Sequence, residues 1–357
     1  MTGNFYIDIH VLQTVPPSCV NRDDTGSPKT AVYGGVTRAR VSSQAWKKAI
    51  RDDFQNQLSS EELGKRTKKI VDMVAGKVKE KVSEENVQDL AIKALSSAGL
   101  SINAAKPEKG TDALFFMSDS QAESLAALIC EGETDKKKYK SALMERPSVD
   151  MVLFGRMVAS DPSLNYDAAV QVAHSISTHE VRNEFDYFTA VDDLGDEDSA
   201  GAGHIGTTEF NSSTLYRYAT VNVREAEKWL AEDTPHAIRD FMSAFLCSMP
   251  TGKQNSFANR TAPDCVYVTV RRDQPVNLVG AFEKPIRSRD GYVAASETAL
   301  AKYAEETYDR FVDKPALAFC VSRHGENWAD AENLGRDQLL ERVENAVREA
   351  CKRGEVD

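Results

Sequence analysis

The segment from Thr25 to Arg51 carries Lys29, Arg38, Arg40, Lys47, Lys48 and Arg51 and not one carboxylate, in a chain whose formal net charge is −11. Cations segregated in this way suit a phosphate backbone, which is held by point charges and forked guanidinium donors without any reading of bases. Ser42 and Gln44 add neutral donors near the start of a helix, where unpaired backbone amides also favour anions. The pair Gly34-Gly35 permits close backbone approach. No acid precedes Asp52 to form an i,i+4 pair with these cations, which argues against a plain solvated helix face, although spacing alone leaves that alternative open. The chemistry indicated is a local single-strand binding surface. The acidic remainder repels phosphate and excludes indiscriminate nucleic-acid binding.

Other candidate chemistry is weaker. Asp23 and Asp24 in "NRDDTG" are paired loop carboxylates that could hold Mg²⁺ and activate water against a phosphodiester; they are also good turn formers, with Arg22 available as an ion-pair partner. "GAGHIG", from Gly201 to Gly206, has the spacing of a dinucleotide-binding loop, but Asp196, Glu197 and Asp198 stand where a strand should precede it. Its glycines read as a bending loop tip. His174 and His179 face opposite sides of any strand they share and read as structural. Cys19, Cys130, Cys247, Cys265, Cys320 and Cys351 are scattered without a CxxC pair, so buried reduced thiols are expected, with no metal centre. P-loop, HExxH and GxSxG motifs are absent. No catalytic residue, metal ligand or cofactor is assigned.

The elements that must position the basic segment are legible. "NFYIDIHVLQ" alternates with the period of a half-buried strand. A Pro-, Asp- and Gly-rich loop follows, then a helix capped by Ser42 or Ser43, whose apolar side is Trp46, Ile50 and Phe54 and whose Lys47, Lys48 and Arg51 point elsewhere. Residues 59–147 read as a helical insertion opened by a Ser59–Glu62 capping box, with "EELGKRTKKIVDMVAGKV", "SEENVQDLAIKALSSAG" and "SDSQAESLAALICEG" as its helices. Strand signals resume in "SVDMVLFGR", "AVQVAHSIS", "LYRYATVNV", "DCVYVTVRR" and "ALAFCVS", alternating with helices such as "ETALAKYAEETYDRF" and the final "DQLLERVENAVREACKR". Between "FDYFTAV" and "LYRYATV" the acidic, Gly- and Ser-rich stretch fits a protruding hairpin with a mobile tip. The fold class expected is α+β. A hydrophobic content of 41% over 357 residues supports a sizeable core, no run approaches a membrane span, and without a basic leader the expectation is a cytoplasmic protein.

The segments "PPSCVNRDD", "GGVTRARVSSQAWKKAIR", "FGRM", "AHSISTHEV", "DYFTAVDDL", "HIGTTEF" and "LYRYATVN", in that order, resemble the CasC family, the repeated backbone subunit of the type I-E CRISPR surveillance complex Cascade. The resemblance runs to about residue 285 and weakens through the helical insertion. It implies an RRM-like palm (1–58, 148–182 and 216–357, the last with terminal helices), a helical fingers insertion (59–147) and a thumb hairpin (183–215). It further implies a structural, non-catalytic subunit that stacks head to tail along a CRISPR RNA, kinks it at regular intervals and leaves its bases open to pair with target DNA in antiviral defence. Other copies of itself and the large, small and end-capping subunits would be its partners, with no membrane. The implied guide contacts are Arg22, Lys29, Arg38, Arg40, Ser42, Gln44, Lys47, Lys48, Arg51, Arg156 and Met157, with Tyr187, Phe188, Thr189 and His204 around the displaced nucleotide. Tyr187 stands where the family carries Trp, which keeps an aromatic ring. The alternatives are a metal-dependent ribonuclease using Asp23 or Asp24 and a generic single-stranded RNA-binding protein.

Overall fold

The alternation of Phe5, Ile7, Ile9 and Val11 does make a strand, β1 (Tyr6–Ser18), but one buried on both faces: Asp8, His10 and Leu12 are as inaccessible as the apolar set. The computed structural model in which this is seen describes residues 3–82, 86–102, 110–111, 113–190 and 204–354. In chain order there follow β2 (Thr30–Tyr33), β3 (Val36–Val41), α1 (Ser43–Phe54), β4 (Gly64–Thr67), α2 (Ile70–Lys79), α3 (Val87–Ser97), β5 (Phe115–Ser118), α4 (Asp119–Cys130), α5 (Lys136–Met144) and α6 (Val149–Phe154). Then come β6 (Val170–Val172), β7 (Ser175–Ser177), β8 (Glu184–Ala190), β9 (His204–Asn222), α7 (Val223–Leu230), α8 (Thr234–Cys247), α9 (Gln254–Phe257), β10 (Cys265–Arg271), α10 (Val293–Arg310), β11 (Leu317–Ser322), β12 (Glu332–Asn333) and α11 (Arg336–Gly354). The fold is α+β, and no described helix is long and apolar enough to cross a membrane.

Two compact units divide the chain. The first comprises Met1–Ile50, Val172–Thr220 and Met242–Val343. Its mixed sheet runs β12-β11-β10-β1-β9-β7-β3-β2, antiparallel at β1/β10, β10/β11, β3/β7 and β7/β9 and parallel at β11/β12. From β9 a long arm pairs only with β8, Glu184 opposite Phe210 through Ala190 opposite His204. A bare two-stranded hairpin is marginal in water. This one is tied at its foot, where Asn211 donates to the Asn183 side chain at 3.0 Å, the Lys253 ammonium donates to Thr208 Oγ1 at 3.1 Å, and the Phe210 and Phe257 rings lie 5.9 Å apart. Residues 191–203, with Asp196, Glu197, Asp198 and Gly201, lie outside the described residues, so the expectation for the loop tip is not addressed.

The second unit comprises Arg51–Gln171, Val221–Phe241 and Glu344–Asp357. Its core gathers α2, α3, α4 and α5 around Ile70, Val74, Leu95, Leu125 and Leu143, with β4 and β5 as a small antiparallel sheet. Two expectations fail here. The Ser59–Glu62 segment forms a turn in which the Glu62 carboxylate accepts from Ser59 N at 2.8 Å, and Gly64–Thr67 then becomes β4, so no helix begins there; the reciprocal box is at Ser118 and Gln121. "VDMVLF" is α6 and not a strand, because a short apolar run carries no decisive period and the buried Asp150 inside it answers to Gly64 N and Arg51. The cysteines are free, but Cys130 is exposed and Cys247 and Cys351 partly so, which corrects the expectation that all are buried.

The polar side of β1 is buried because it meets a network. Asp8 accepts from Tyr218 OH at 2.9 Å and Val276 N at 2.8 Å, while His10 Nδ1 lies 2.8 Å from Tyr216 OH and its ring stacks on Tyr218 and Tyr267. Burial pushes the Asp8 carboxyl up to about 6 from 3.8, and burial with the Arg271 charge holds His10 down at about 3 from 6.5. The raised carboxyl favours the fold at low pH and loses that contribution as pH climbs through about 6; the depressed imidazole favours the fold above 6.5 and loses it as pH falls toward about 3. From pH ~4 to ~6 the native chain keeps a proton on Asp8 and the unfolded chain keeps one on His10, so the two slopes oppose each other. Asp8→Asn removes only the first. The stability of the variant relative to the wild type should therefore rise by about 1.4 kcal/mol per pH unit across that window in urea unfolding. A difference that is flat with pH would show that Asp8 titrates normally.

Candidate nucleic-acid interface

The loop before β2 is closed on itself. Lys29 N donates to Asn21 O, Asp23 N to Ser27 O, and Arg22 bridges Pro28. Asp23 Oδ1 accepts from Thr25 N, Thr25 Oγ1 and Ser27 N, an Asx-type turn, and the Thr25 hydroxyl bond is the main cause of its lowered pKa. Asn21 Oδ1 then takes the backbone N–H of Ser42 at 3.0 Å, fixing the loop against the start of α1. Ser42 itself is 5% exposed and caps α1 through Ala45 N, so its hydroxyl is committed.

Lys29 and Arg40 become neighbours where β2 meets β3, with Arg40 N donating to Lys29 O. The Arg40 guanidinium lies 3.3 Å from His174 Nδ1, and burial, then the charges of Arg40 and Lys29, hold that imidazole below its ordinary value. His174 is thus exposed within the basic cluster, contrary to the structural role expected for it. His179 does have that role: it accepts from Thr214 N at 3.1 Å and stacks on Tyr292 at 3.7 Å. Lys253 was missed. Gly252 presses so close to Val20 O that a Cβ would come within 2.1 Å, and Lys253 with Arg22 lies near enough to Cys19 to act on its thiol. A signal existed, since Phe241–Pro263 is also free of carboxylates. Arg22, Gln44 and Lys48 are exposed and Lys47 is partly so.

Three of the arginines are spent internally, so the basic surface is smaller than the residue count implies. Arg38 is fully buried and donates to the carbonyls of Tyr33, Ser177 and Phe282 at 3.2, 2.9 and 2.8 Å. Gly34 serves that packing: its φ is +59°, and a Cβ would meet Glu283 O at 1.7 Å, so the close approach is to the chain's own backbone. In the second unit, Arg51 pairs with the buried Asp150 at 3.0 Å and lies over the Phe116 ring at 4.7 Å. Arg156 is 3% exposed and donates to Leu164 O and Leu143 O, each at 2.9 Å, beside the rings of Tyr166 and Phe115. Its neighbour Met157 is the opposite, 86% exposed.

The hairpin displays aromatics to water: Phe185, Tyr187 and Phe188 are 67%, 75% and 47% exposed, and Thr189 is exposed as well. Alternation puts Phe185 and Tyr187 on one face and Phe188 on the other, where its ring covers Gly206 so closely that a Cβ there would come within 2.5 Å. The backbone of His204 pairs with Ala190, and its side chain lies outside the described residues.

The first unit is thus a mixed sheet that carries a closed basic loop and a projecting aromatic arm, and among the described residues no group of His, Cys, Asp and Glu could hold a metal ion. Residues 7–346 match the model of the CT1975-like proteins, and the chain belongs to that family. One solved chain from a "CRISPR RNA-guided surveillance complex, pre-nicking" is similar at 32% identity and a TM-score of 0.81, over 96% of this chain and 100% of its own. A second, from a "CRISPR RNA-guided surveillance complex", is similar at 29% identity and a TM-score of 0.65, over 96% of this chain and 99% of its own. No curated protein matches the sequence.

Removing one partner of a buried ion pair strands the other, so Asp150→Ala should cost about 3 kcal/mol of stability, whereas Arg22→Glu on the exposed loop should stay within about 0.5 kcal/mol. Chemical unfolding of the two variants checks this. Equal effects would remove the distinction between structural and surface arginines.

Proposed function

We propose that this chain is a CRISPR RNA-binding backbone subunit of a surveillance complex, of the type I-E CasC kind. The observation that carries the reading is the cluster of Arg22, Lys29, Arg40, His174 and Lys253 around one closed loop, at the foot of a hairpin that exposes Phe185 and Tyr187. The two solved chains compared above come from complexes described as RNA-guided. On this reading the first unit supplies an RRM-like palm and a thumb, and the α2–α5 helices supply the fingers. Arg22, Lys29, Arg40, Gln44, Lys47 and Lys48 hold guide phosphates. Tyr187, Phe188 and Thr189 fill the gap at a displaced nucleotide, since an aromatic ring can stand in for an unstacked base. Met157, exposed in the second unit, is a further guide contact, its thioether suited to an apolar base face. Copies stack head to tail in the cytoplasm, present the guide for pairing with target DNA, and meet large, small and end-capping subunits.

On this reading the subunit is a scaffold and not a nuclease, a reading supported at Asp23, whose Oδ1 accepts three hydrogen bonds from its own turn. Complementary RNA incubated with the assembled complex and Mg²⁺ should stay intact. Cleavage abolished by Asp24→Ala would restore the ribonuclease reading.

Arg22→Glu with Lys29→Glu should weaken binding of unrelated guide RNAs alike, by roughly tenfold or more at low salt, and flatten the dependence of log Kd on log salt by about 0.7 for each phosphate that is no longer neutralised. Fluorescence anisotropy over a salt series measures both. An unchanged slope would remove these two side chains from the interface, and sequence-selective weakening would point to base recognition instead.

A further inference from the structure

At the edge of the sheet opposite β2 and β3, the first unit holds a cavity of about 630 Å³, within the range of about 300–1,000 Å³ usual for small-molecule sites. Its lining comes from β10, α10, β11 and the loop that leads into β12. Tyr267, Phe319 and Trp328 give it an aromatic wall that is almost wholly buried, and the small side chains of Ala301, Ala304 and Ala318 leave space beside it. The wall is fixed in place: the Tyr267 and Trp328 rings stack at 4.1 Å, and the Trp328 indole N–H donates to the buried Glu297 at 2.8 Å. Four acids line the cavity, Glu305, Asp309, Asp330 and Glu332, against one cation, Lys314. Lys314 pairs with Asp309 at 3.3 Å, and Arg342, from α11, pairs with Glu332 at 2.9 Å. Four acids against these two cations leave two negative charges. They are those of Glu305 and Asp330, which are exposed and make no hydrogen bond or ion pair among the described residues. The Lys314 pKa is raised first by its hydrogen bond to Asp309 and then by the charges of Asp309, Asp330 and Glu305, so both unpaired acids stand near the same cation.

An aromatic wall beside two unneutralised carboxylates asks for a cation of charge two or more with a hydrocarbon spine. A divalent metal ion would have to draw its ligands around one point, and among the described residues no group of three such side chains is placed to do so. A lysine or arginine side chain from another protein brings one charge and answers one acid. Glu305 stands on α10 and Asp330 on the loop before β12, so ammonium groups joined by methylenes can answer both, with the methylenes against the aromatic wall. The Arg271 guanidinium, over the Tyr308 ring at 5.1 Å, is itself paired with Asp273 at 2.6 Å and does not cancel these acids. We propose that this cavity binds a linear polyamine of the spermidine class. The inference rests on the cavity alone and requires neither RNA nor a second copy. It puts a small-molecule site at the end of the sheet remote from the basic loop, where polyamine and guide do not compete for the same side chains.

Isothermal titration calorimetry of the full-length, RNA-free protein with spermidine tests this. Saturable binding of one molecule per chain is expected, weakening as salt is raised. Glu305→Gln and Asp330→Asn should each weaken it by roughly fivefold and the two together by roughly twentyfold, as two separate charge pairs are lost. Neither side chain makes an internal hydrogen bond or ion pair among the described residues, so weaker binding in these variants is not loss of fold, and unchanged chemical unfolding confirms that. Butylamine, with one ammonium group, should bind at least fivefold more weakly than spermidine. No saturable heat at millimolar spermidine, or an affinity unchanged in the double variant, overturns the proposal. So does displacement of spermidine by Mg²⁺ at equal ionic strength, which would reduce the effect to general charge screening. Saturable binding of N-acetyl-arginine amide with none of spermidine would also overturn it and give the cavity to a side chain of a partner protein.

Discussion

The basic surface depends on one buried cation. Arg217, on β9, places its guanidinium 3.8 Å above the Trp46 ring and 4.5 Å from that of Phe245, and donates to Gln13 Oε1 and the Phe245 carbonyl. A charge taken out of water at that depth costs several kcal/mol, which the two acceptors and the two rings offset while its Nε has no hydrogen-bond partner. Trp46 is therefore held from two sides, since its indole N–H also donates to Ser175 Oγ at 2.9 Å. Holding Trp46 holds the first turns of α1; the Ser42 cap and Asn21 then fix the loop that carries Arg22 and Lys29. The exposed cations are positioned by a continuous chain of contacts that begins in the core.

Arginine and lysine divide the work. Arg38, Arg156 and Arg217 each satisfy several acceptors from a single buried side chain, which suits a planar fork with five donors. Lysine, a strongly hydrated point charge, is seldom fully buried. Here Lys29 and Lys47 are partly exposed and Lys48 is exposed. Within the basic segment and its loop, residue type thus separates structural from candidate binding cations better than position does, Arg22 and Arg40 being exceptions that stay near water.

Much of this was legible. The strand of "NFYIDIHVLQ", the Trp46, Ile50 and Phe54 stripe, and the later strands follow from period and capping alone. What escaped detection was burial set by distant partners. Nothing local to Asp8 and His10 announces that tyrosines from β9 will cover them, and nothing around Arg51 announces Asp150, 99 residues away. "VDMVLF" failed for a different reason: six apolar-rich residues fit a strand or a buried turn of helix equally, and the tertiary demand on Asp150 decided it. Lys253 was invisible because its partners on the loop lie more than 200 residues earlier in the chain.

Charge segregation acquires a physical meaning once the two exposed features are considered together. At physiological ionic strength a cation is felt over about 8 Å, so a few lysines and arginines on one loop act on a phosphate beside them while the acidic remainder acts on phosphates further off. A strand held in this way is gripped along a short track and repelled elsewhere. Its bases are not gripped at all, because neither lysine nor a backbone-directed arginine reads them. On the proposed reading, the exposed Phe185 and Tyr187 rings would supply what the cations lack, a sequence-blind surface on which a base can lie. Sequence-blind contacts of both kinds are what a subunit requires if the same chain is to hold any guide, whatever its bases.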